Sequence, residues 1–389
     1  MDLSIYFKPI EIYKDQYKEG TIGERVLLNN PDIEFPNLEN VNIAIIGVKE
    51  DRRALLNKGC AEAPDFVRGF LYQLYYGDFD LKIADLGNIL PGSEIKDTYY
   101  ALSEVISELV KRKIIPVIIG GSQDLTYANY LAYEKLEQTI NLLSIDNKLD
   151  LGENGDEINP ESFLSKIILH QPNYLFNYAN LGYQTYFENQ KSIDLLSKLH
   201  FDAIRLGEVV SNIEETEPVI RNADFVSVDV SCIRQSDAPG NVNAGPNGFY
   251  GEQACQLARY AGISYKLSSI GFYEINPQLD RGGQTSHLVA QMIWCFIEAF
   301  YQRKSEYPIN LKKGYLKYLV TLEDEKENNE LVFYKSKRTD RWWMDIPYPP
   351  NKGMKYERHH LLPCSYNDYQ TACKGEIPDR WWKTYQKLI

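Results

Sequence analysis

The feature that most constrains the fold is a series of short apolar runs, each followed by a segment with helical spacing. Residues 41–48, V-N-I-A-I-I-G-V, are almost entirely apolar, as expected for a strand covered on both faces. Apolar residues recur at helical spacing in residues 97–113. Similar runs occupy residues 81–85, 114–119, 140–145, 174–182, 202–205, 224–230 and 266–274. So many strand–helix units predict an α/β protein whose parallel sheet lies between helices.

The chain divides into three parts by its composition. Residues 1–40 are mixed and rich in tyrosine, and we interpret them as an N-terminal arm. Residues 41–306 carry the α/β pattern. Residues 307–389 form a C-terminal extension with the signals of a β-hairpin, a solvated acidic turn at residues 323–330 and two D-R-W-W copies. The tryptophan pairs could bind a partner protein or could fasten the extension to the core.

The charge and the cysteines narrow the cellular setting. A formal net charge of -12 argues against nucleic acid and anionic membrane surfaces as partners, since both require a basic face. No apolar run is long enough to predict insertion into a membrane, and the N-terminus lacks the pattern of a secretion signal. The six cysteines show no C-x-x-C spacing, which favours reduced thiols in a cytoplasmic protein.

Acidic side chains follow three of the predicted strands. Asp146 and Asp150 follow S-I at the end of one run, Asp229 ends F-V-S-V-D, and Glu274 follows I-G-F-Y. The carboxyl ends of parallel strands meet at one edge of the sheet, where open α/β proteins bind their ligands. These carboxylates are therefore candidate site residues, although solvated strand ends would give the same pattern.

Several motifs together resemble the ureohydrolase family, which comprises arginase, agmatinase and formimidoylglutamase. They are N-K-G-C-A-E-A-P-D-F-V-R (residues 57–68), A-P-G (238–240), L-A-R-Y-A-G (257–262) and E-I-N-P-Q-L-D (274–280). They occur in the family's order, over residues 41–303. The resemblance implies a three-layer α/β/α fold and an oligomer. It also implies hydrolysis of a guanidinium or formimino group by a hydroxide held between two manganese ions.

The resemblance also implies which residues should bind metal, and several positions depart from the family pattern. Three carboxylates are kept, namely Asp146, Asp150 and Asp229. The other positions hold residues that are unsuited to a two-metal site: Gln123, Lys148, Ser231 and Arg234. Two alternatives follow. Gln123 with the three aspartates could hold a single manganese, magnesium or calcium ion. Alternatively, no metal binds, and the Lys148 ammonium takes the second metal's place and neutralises Asp146 and Asp229.

Glu274 matches a family residue that contacts the substrate, so it could still bind a cationic group. The alternative is a salt bridge to Lys148 or Arg234. The pair His359–His360 with Cys364 and Cys373 does not have the spacing of a closed zinc site, which favours packing roles.

Two functions are compatible with these residues. The first, which the lost ligands favour, is a catalytically degenerate protein with a binding, scaffolding or regulatory role, working as a homo-oligomer or through its Trp- and Tyr-rich extension. The second is a metal-dependent hydrolase of C–N bonds in linear amidines, most similar to formimidoylglutamase.

Overall fold

The structure is a computed structural model that describes residues 1–152, 157–308, 314–322, 329–349 and 357–389. Most of the acidic turn predicted at residues 323–330 lies outside these ranges. Within them, no helix is long and apolar enough to cross a membrane.

The central element is a parallel sheet. Over the described residues it contains nine strands in the order β1-β3-β2-β4-β9-β8-β5-β6-β7, and every neighbouring pair is parallel. The strands are β1 (Leu27–Leu28), β2 (Ile43–Val48), β3 (Ile83–Ile89), β4 (Ile115–Ile119), β5 (Ile140–Ile145), β6 (Leu175–Tyr183), β7 (Asp202–Arg205), β8 (Phe225–Asp229) and β9 (Ser269–Tyr273). The predicted parallel sheet is confirmed. The short strand β1, inside the N-terminal arm, was not predicted.

Helices cover both faces of the sheet. Along β2, Ile43 and Ile45 point to one face while Ala44 and Ile46 point to the other, and all four are fully buried. The first face packs against α2, α8, α9 and α10, and the second against α3, α4, α5 and α6. The helices are α1 (Ile22–Arg25), α2 (Ala63–Leu71), α3 (Ile95–Lys111), α4 (Leu125–Lys135), α5 (Phe163–Leu169), α6 (Gln190–Lys198), α7 (Leu206–Ser211), α8 (Thr216–Arg221), α9 (Gly251–Ile263) and α10 (Gln284–Tyr301). This burial on both faces explains why the strands read as continuous apolar runs.

The C-terminal extension forms a second, antiparallel sheet. Its strands are β10 (Tyr315–Leu322), β11 (Asn329–Ser336), β12 (Trp342–Asp345) and β13 (Leu361–Cys364), paired in that order. Two helices follow, α11 (Tyr366–Cys373) and α12 (Asp379–Leu388). The predicted hairpin is β10–β11, and the first D-R-W-W copy leads into β12 while the second begins α12.

The extension packs against the starts of the core strands. Arg358 pairs with Asp224 just before β8 at 2.6 Å, and Lys383 pairs with Asp202 at the start of β7 at 2.8 Å. Beside β5, His359 hydrogen-bonds Thr139 at 3.0 Å. Since all the strands are parallel, these contacts lie at the sheet edge opposite to the carboxyl ends. The extension is therefore positioned away from the candidate site.

Arg221, at the end of α8, joins the two sheets. It is 5% exposed, donates to the carbonyl oxygens of Trp342 and Cys364, and lies 4.5 Å from the centre of the Trp343 ring. Trp342, Trp343 and Trp381 are buried, whereas Trp382 is 47% exposed. Most of the predicted aromatic surface is thus used to hold the extension in place.

His359 has a packing role. Its ring stacks on Phe176 with centroids 3.9 Å apart, and burial lowers its pKa well below the ordinary value. A neutral ring fits this position between the extension and the core.

Candidate functional site

The predicted carboxyl groups come together at the carboxyl edge of the main sheet. Asp146 directly follows β5, Asp229 is the last residue of β8, and Glu274 directly follows β9. Strands β9, β8 and β5 are adjacent in the sheet, so their ends are neighbours. Asp150 joins them from the loop after β5, with a positive φ of 52°. Glu274 has a positive φ of 65°, and such strained conformations are concentrated at functional sites.

Asp146 is the centre of this group, and its carboxylate accepts hydrogen bonds from neutral donors. Its Oδ2 accepts a hydrogen bond from Gln123 Nε2 at 2.7 Å, and its Oδ1 accepts one from the backbone NH of Lys148 at 2.9 Å. The Asp150 side chain also hydrogen-bonds to it. Gln123 is 1% exposed, so its amide is fully committed to the buried cluster.

Asp150 and Asp229 are buried carboxyls that favour the protonated form. Burial raises the pKa of Asp150 well above its usual range, and the negative charge of Asp146 raises it further. Burial also raises the pKa of Asp229 well above its usual range, and the negative charges of Asp146 and Glu274 raise it further. Asp229 accepts a hydrogen bond from the backbone NH of Ser231 at 2.6 Å. Asp150 Oδ2 is buried without a hydrogen-bond partner among the described residues.

Glu274 is held by hydrogen bonds. Asn57 Nδ2 donates to its Oε2 at 2.8 Å, and the Gln123 backbone NH donates to its Oε1 at 2.8 Å. Burial raises its pKa to about 7 against these two hydrogen bonds, which lower it. The predicted alternative of a salt bridge from Glu274 to Lys148 or Arg234 is wrong, because each of these cations pairs with another acid.

Lys148 forms no direct ion pair with Asp146 or Asp229, contrary to the second sequence-based alternative, although its charge still lowers the pKa of Asp146. Its Nζ pairs with Glu161 at 2.6 Å, and its side chain is 28% exposed. Burial lowers the pKa of Lys148, but the Glu161 hydrogen bond and the charges of Glu161, Asp150 and Asp146 together raise it more, so the net direction is upwards. Only the backbone NH of Lys148 hydrogen-bonds to Asp146. Glu161 lies 13 residues further along the chain, and no sequence pattern indicates that the loop returns it to this point.

Ser231 and Arg234 also have protein partners. The Ser231 hydroxyl donates to the Asn147 side-chain oxygen at 3.2 Å. Arg234 Nε donates to Asp237 at 2.9 Å, and its guanidinium lies 3.6 Å from the centre of the Tyr250 ring. Arg234 therefore faces away from the carboxyl cluster.

Arg234 lines a pocket of about 530 Å³ next to the cluster, together with Arg205. The pocket wall includes Gln184, whose backbone NH donates to the carbonyl of Asn147 at 2.9 Å. Asn147 directly follows Asp146, so the pocket lies beside the buried carboxyls. The lining also carries the Glu208 carboxylate, and Arg234 already pairs with Asp237, so an anionic ligand would bind the remaining N–H groups of the two guanidiniums.

Several residues of the site were not predicted as members. Asn57 was noted only as part of a motif, yet it donates to both the carboxylate and the backbone oxygen of Glu274. Glu188 accepts from the Leu149 backbone NH at 2.6 Å, and burial raises its pKa. Asn241 Nδ2 donates to the Glu274 carbonyl at 2.8 Å. For Asn57, the motif that carries the resemblance was the available signal. Glu188 and Asn241 lie in loops without a pattern.

The hydrogen-bond partners of Gln123, Lys148 and Ser231 decide whether a pair of metal ions fits the site. Two bridged manganese ions require imidazoles and bridging carboxylates. At the corresponding positions, the Gln123 amide nitrogen faces Asp146, the Lys148 ammonium faces Glu161 and the Ser231 hydroxyl faces Asn147. Across the described ranges, no three His, Cys, Asp or Glu side chains are arranged to hold a metal ion. The residues present therefore do not fit a two-metal centre.

The fold and the site define an α/β protein with its candidate ligand site at the carboxyl edge of a parallel sheet. The sequence profile described as the Arginase family matches residues 41–298, which is more than half of the chain. The chain therefore belongs to the arginase family.

Relatives within the family include two bacterial formimidoylglutamases. The protein of Streptococcus gordonii is 24% identical over 324 residues, which cover 78% of this chain and 97% of that protein. The protein of Staphylococcus aureus strain JH9 is 26% identical over 273 residues, which cover 66% of this chain and 86% of that protein.

Solved structures share the fold. Formiminoglutamase of Trypanosoma cruzi, crystallised with manganese, has a TM-score of 0.64 at 19% identity, covering 70% of this chain and 97% of its own. Formimidoylglutamase of Bacillus subtilis has a TM-score of 0.63 at 19% identity, covering 69% and 90%. The three-layer arginase-like fold predicted from the resemblance is confirmed.

Proposed function

We propose that this arginase-family protein binds a small anionic ligand without the two-manganese hydrolysis, in a binding, scaffolding or regulatory role. The observation that carries the proposal is the orientation of Lys148. Its ammonium pairs with Glu161, while Asp146 is satisfied by an amide, a backbone NH and the Asp150 carboxyl. This arrangement stabilises the buried carboxyls with hydrogen bonds and protons, so they do not require metal ions as counter-charges.

The pocket lined by Arg205 and Arg234 is the binding site in this proposal. Guanidinium groups bind carboxylates with directed, charge-assisted hydrogen bonds. The Arg234 guanidinium stacks on the Tyr250 ring, which helps to orient it towards the pocket. The names of the formimidoylglutamase relatives suggest suitable probes, L-glutamate and N-formimino-L-glutamate.

Calorimetric titration of the metal-free protein with the two probes tests the binding half of the proposal. Binding is expected for the unmodified protein. It should weaken at least ten-fold in Arg205→Ala and in Arg234→Ala, since each loss removes a charge-assisted contact of about 1.5–3 kcal/mol. Arg112→Ala, which changes an exposed arginine on the helix surface, is the matched control and should leave binding unchanged. Equal affinities in all variants would refute the assignment of this pocket.

An assay of amidine hydrolysis tests the catalytic half. With manganese supplied, the unmodified protein should release no formamide from N-formimino-L-glutamate above the uncatalysed rate. The triple variant Gln123→His, Lys148→His and Ser231→Asp restores the donor types that a two-metal site requires, and it should take up manganese. Manganese-dependent turnover by the unmodified chain would contradict the proposal.

One observation favours a second function, metal-dependent hydrolysis of a C–N bond in a linear amidine, as the names of the relatives suggest. Asp150 Oδ2 is buried and has no partner among the described residues, which leaves one oxygen able to accept a cation. In this function Gln123, Asp146, Asp150 and Asp229 would hold one divalent ion after their side chains rearrange, because among the described residues they are not arranged as a metal site. Such an ion polarises water and substrate. Turnover that saturates at one ion per chain would establish it.

The assembly of the protein is also a proposal. We expect a homo-oligomer, as the family resemblance implies. We also expect any protein partner of the extension to contact its exposed aromatics, such as Trp382 at 47% and Tyr366 at 54% exposure. Light scattering coupled to gel filtration measures the number of chains in the homo-oligomer. Substitution of Trp382 by Ala, compared with the buried Trp343→Ala, separates a surface contact from a loss of folding.

A further inference from the structure

Two free cysteines face each other across the closest helix pair of the core. Cys255 lies on α9 and Cys295 lies on α10, and their thiols are hydrogen-bonded to each other. The other cysteines differ in position: Cys60, Cys232 and Cys364 are buried singly, and Cys373 is exposed on α11.

Contacts between α9 and α10 that do not involve the thiols also support the pairing of Cys255 with Cys295. A Cβ atom built on Gly251 would lie 3.3 Å from the Leu288 side chain, and one on Gly262 would lie 2.8 Å from Ala299 Cβ. Between these points, Arg259 forms an ion pair with Glu298. Residue numbers rise together on both helices, so α9 and α10 run in the same direction. This register, with offsets of 37 to 39 residues, places position 255 opposite positions 292 to 294, within one helical turn of Cys295.

The helix backbones of α9 and α10 approach each other closely at Gly262. Gly262 faces the backbone of α10 at Phe296, where a side chain would not fit. Ala254, Ala258 and Ala261 are the neighbouring small residues on the buried side of α9. A disulfide requires Cα atoms about 4.4–6.8 Å apart, a spacing that only closely packed helices offer.

The two thiols are chemically unequal. The hydrogen bond from Cys255 is the main cause that lowers the pKa of Cys295, and it acts against burial and the negative charge of Glu298, which raise this pKa. The same contact raises the pKa of Cys255. Both side chains are only half-buried, so a small oxidant can reach them. Cys295 therefore has the properties of an attacking thiolate, and Cys255 those of the thiol that resolves its oxidised form.

We propose that Cys255 and Cys295 are a redox modification site that forms a reversible intramolecular disulfide with a peroxide as the oxidant. The Cys295 thiolate attacks one oxygen of hydrogen peroxide, forming an S–O bond and breaking the O–O bond. The released hydroxide takes up the thiol proton and leaves as water. The Cys255 sulfur then attacks the sulfenic sulfur, forming the S–S bond, and the second oxygen leaves as water with the Cys255 proton. The two sulfurs supply the two electrons, and a dithiol reductant reverses the reaction.

The link would fasten the two helices that begin beside the candidate site. The backbone NH of Gly251, at the start of α9, donates to Asp237 at 2.8 Å, and Asp237 holds Arg234. The backbone NH of Thr285, in the first turn of α10, donates to Asp280 at 2.7 Å. Oxidation therefore reduces the motion of both helices relative to each other. The inference does not depend on whether the site hydrolyses or only binds.

Thiol counting and peptide mapping test the proposal on the full chain. After a brief treatment with hydrogen peroxide, the number of thiols in the denatured protein should fall from six to four. Mass spectrometry of the non-reduced digest should show the peptides of Cys255 and Cys295 linked, and dithiothreitol should restore all six thiols. Because a cross-link restricts the unfolded chain, the oxidised protein should melt about 2 °C higher.

Three variants sharpen the test. Cys255→Ser and Cys295→Ser should each abolish the linked peptide, and Cys255→Ser should accumulate the sulfenic acid on Cys295. Cys373→Ser, which removes the exposed thiol, should still lose two thiols on oxidation. The proposal is overturned if the unmodified protein keeps six thiols, or if oxidation produces only over-oxidised Cys295 or links between chains through Cys373.

Discussion

Replacing Glu274 by Gln tests whether the buried carboxyl cluster holds protons. Glu274 is 2% exposed, and its pKa rises from 4.5 in a free side chain to about 7 in the folded protein. Because this folded pKa is raised, the folded state binds an extra proton between these two values. Stability from this group is complete below about pH 4.5 and declines as the pH rises through about 7.

The magnitude follows from the two pKa values. A shift from 4.5 to about 7 corresponds to about 3 kcal/mol of unfolding free energy, lost between pH 5 and pH 8. Glutamine cannot titrate, so the variant lacks this decline. It also has one amide nitrogen where Glu274 accepts hydrogen bonds from Asn57 and Gln123, which costs about 1–2 kcal/mol at every pH. Glu274→Gln is therefore expected to be less stable than the unmodified protein at pH 5 and more stable at pH 8.

Urea denaturation at pH 5, 6, 7 and 8, followed by tryptophan fluorescence, measures both curves. The proteins are dialysed against a chelator first, so that metal does not compete with protons. Glu39→Gln, at an exposed position, is the control. Its curve of unfolding free energy against pH should run parallel to that of the unmodified protein. Parallel curves for Glu274→Gln as well would refute the reasoning, because they would mean that Glu274 is ionised throughout this range.

Two further substitutions test the architecture that positions the site. Arg221→Ala removes the buried guanidinium that joins the two sheets, and it should lower the free energy of unfolding by about 3 kcal/mol and speed proteolysis of the extension; no change would show that Arg221 is not the anchor. Gly121→Ala places a Cβ against the Glu50 carbonyl oxygen and should cost about 1–3 kcal/mol in urea denaturation. Gly69→Ala, on the open side of α2, is its control and should stabilise the protein by up to about 1 kcal/mol.

The sequence predicts the sheet well because burial on both faces leaves a simple pattern. Residues Ile43 to Val48 form a continuous apolar run because the strand has no exposed side to interrupt it, whereas β3 and β6 include buried polar residues such as Asp85 and Asn180. Strand β1 contains only Leu27 and Leu28, which is too short for any periodic signal. It forms because β3 offers an unpaired edge beside it, and this is a tertiary contact that the arm's own sequence does not encode.

The strand-end carboxyls of the candidate site are predictable from the sequence, but the hydrogen-bond partners of its side chains are not. Asp146, Asp229 and Glu274 follow strands, and the parallel sheet forces their positions together. The direction of the Lys148 side chain depends instead on Glu161, in a loop without pattern. Asn57 and Glu274 are 217 residues apart, and only the closed fold brings them into hydrogen-bonding distance. Residue types at the site could therefore be predicted, but their pairing could not.

The metal content of the protein shows whether the buried carboxyl cluster binds manganese. The measurement is elemental analysis of protein purified without chelator from cells grown with added manganese. We expect no stoichiometric manganese, because Gln123, Lys148 and Ser231 occupy the ligand positions and hydrogen-bond to protein partners. About one ion per chain would favour the single-metal hydrolase. Two manganese ions per chain would show that the cluster is a two-metal centre, contrary to the proposed function.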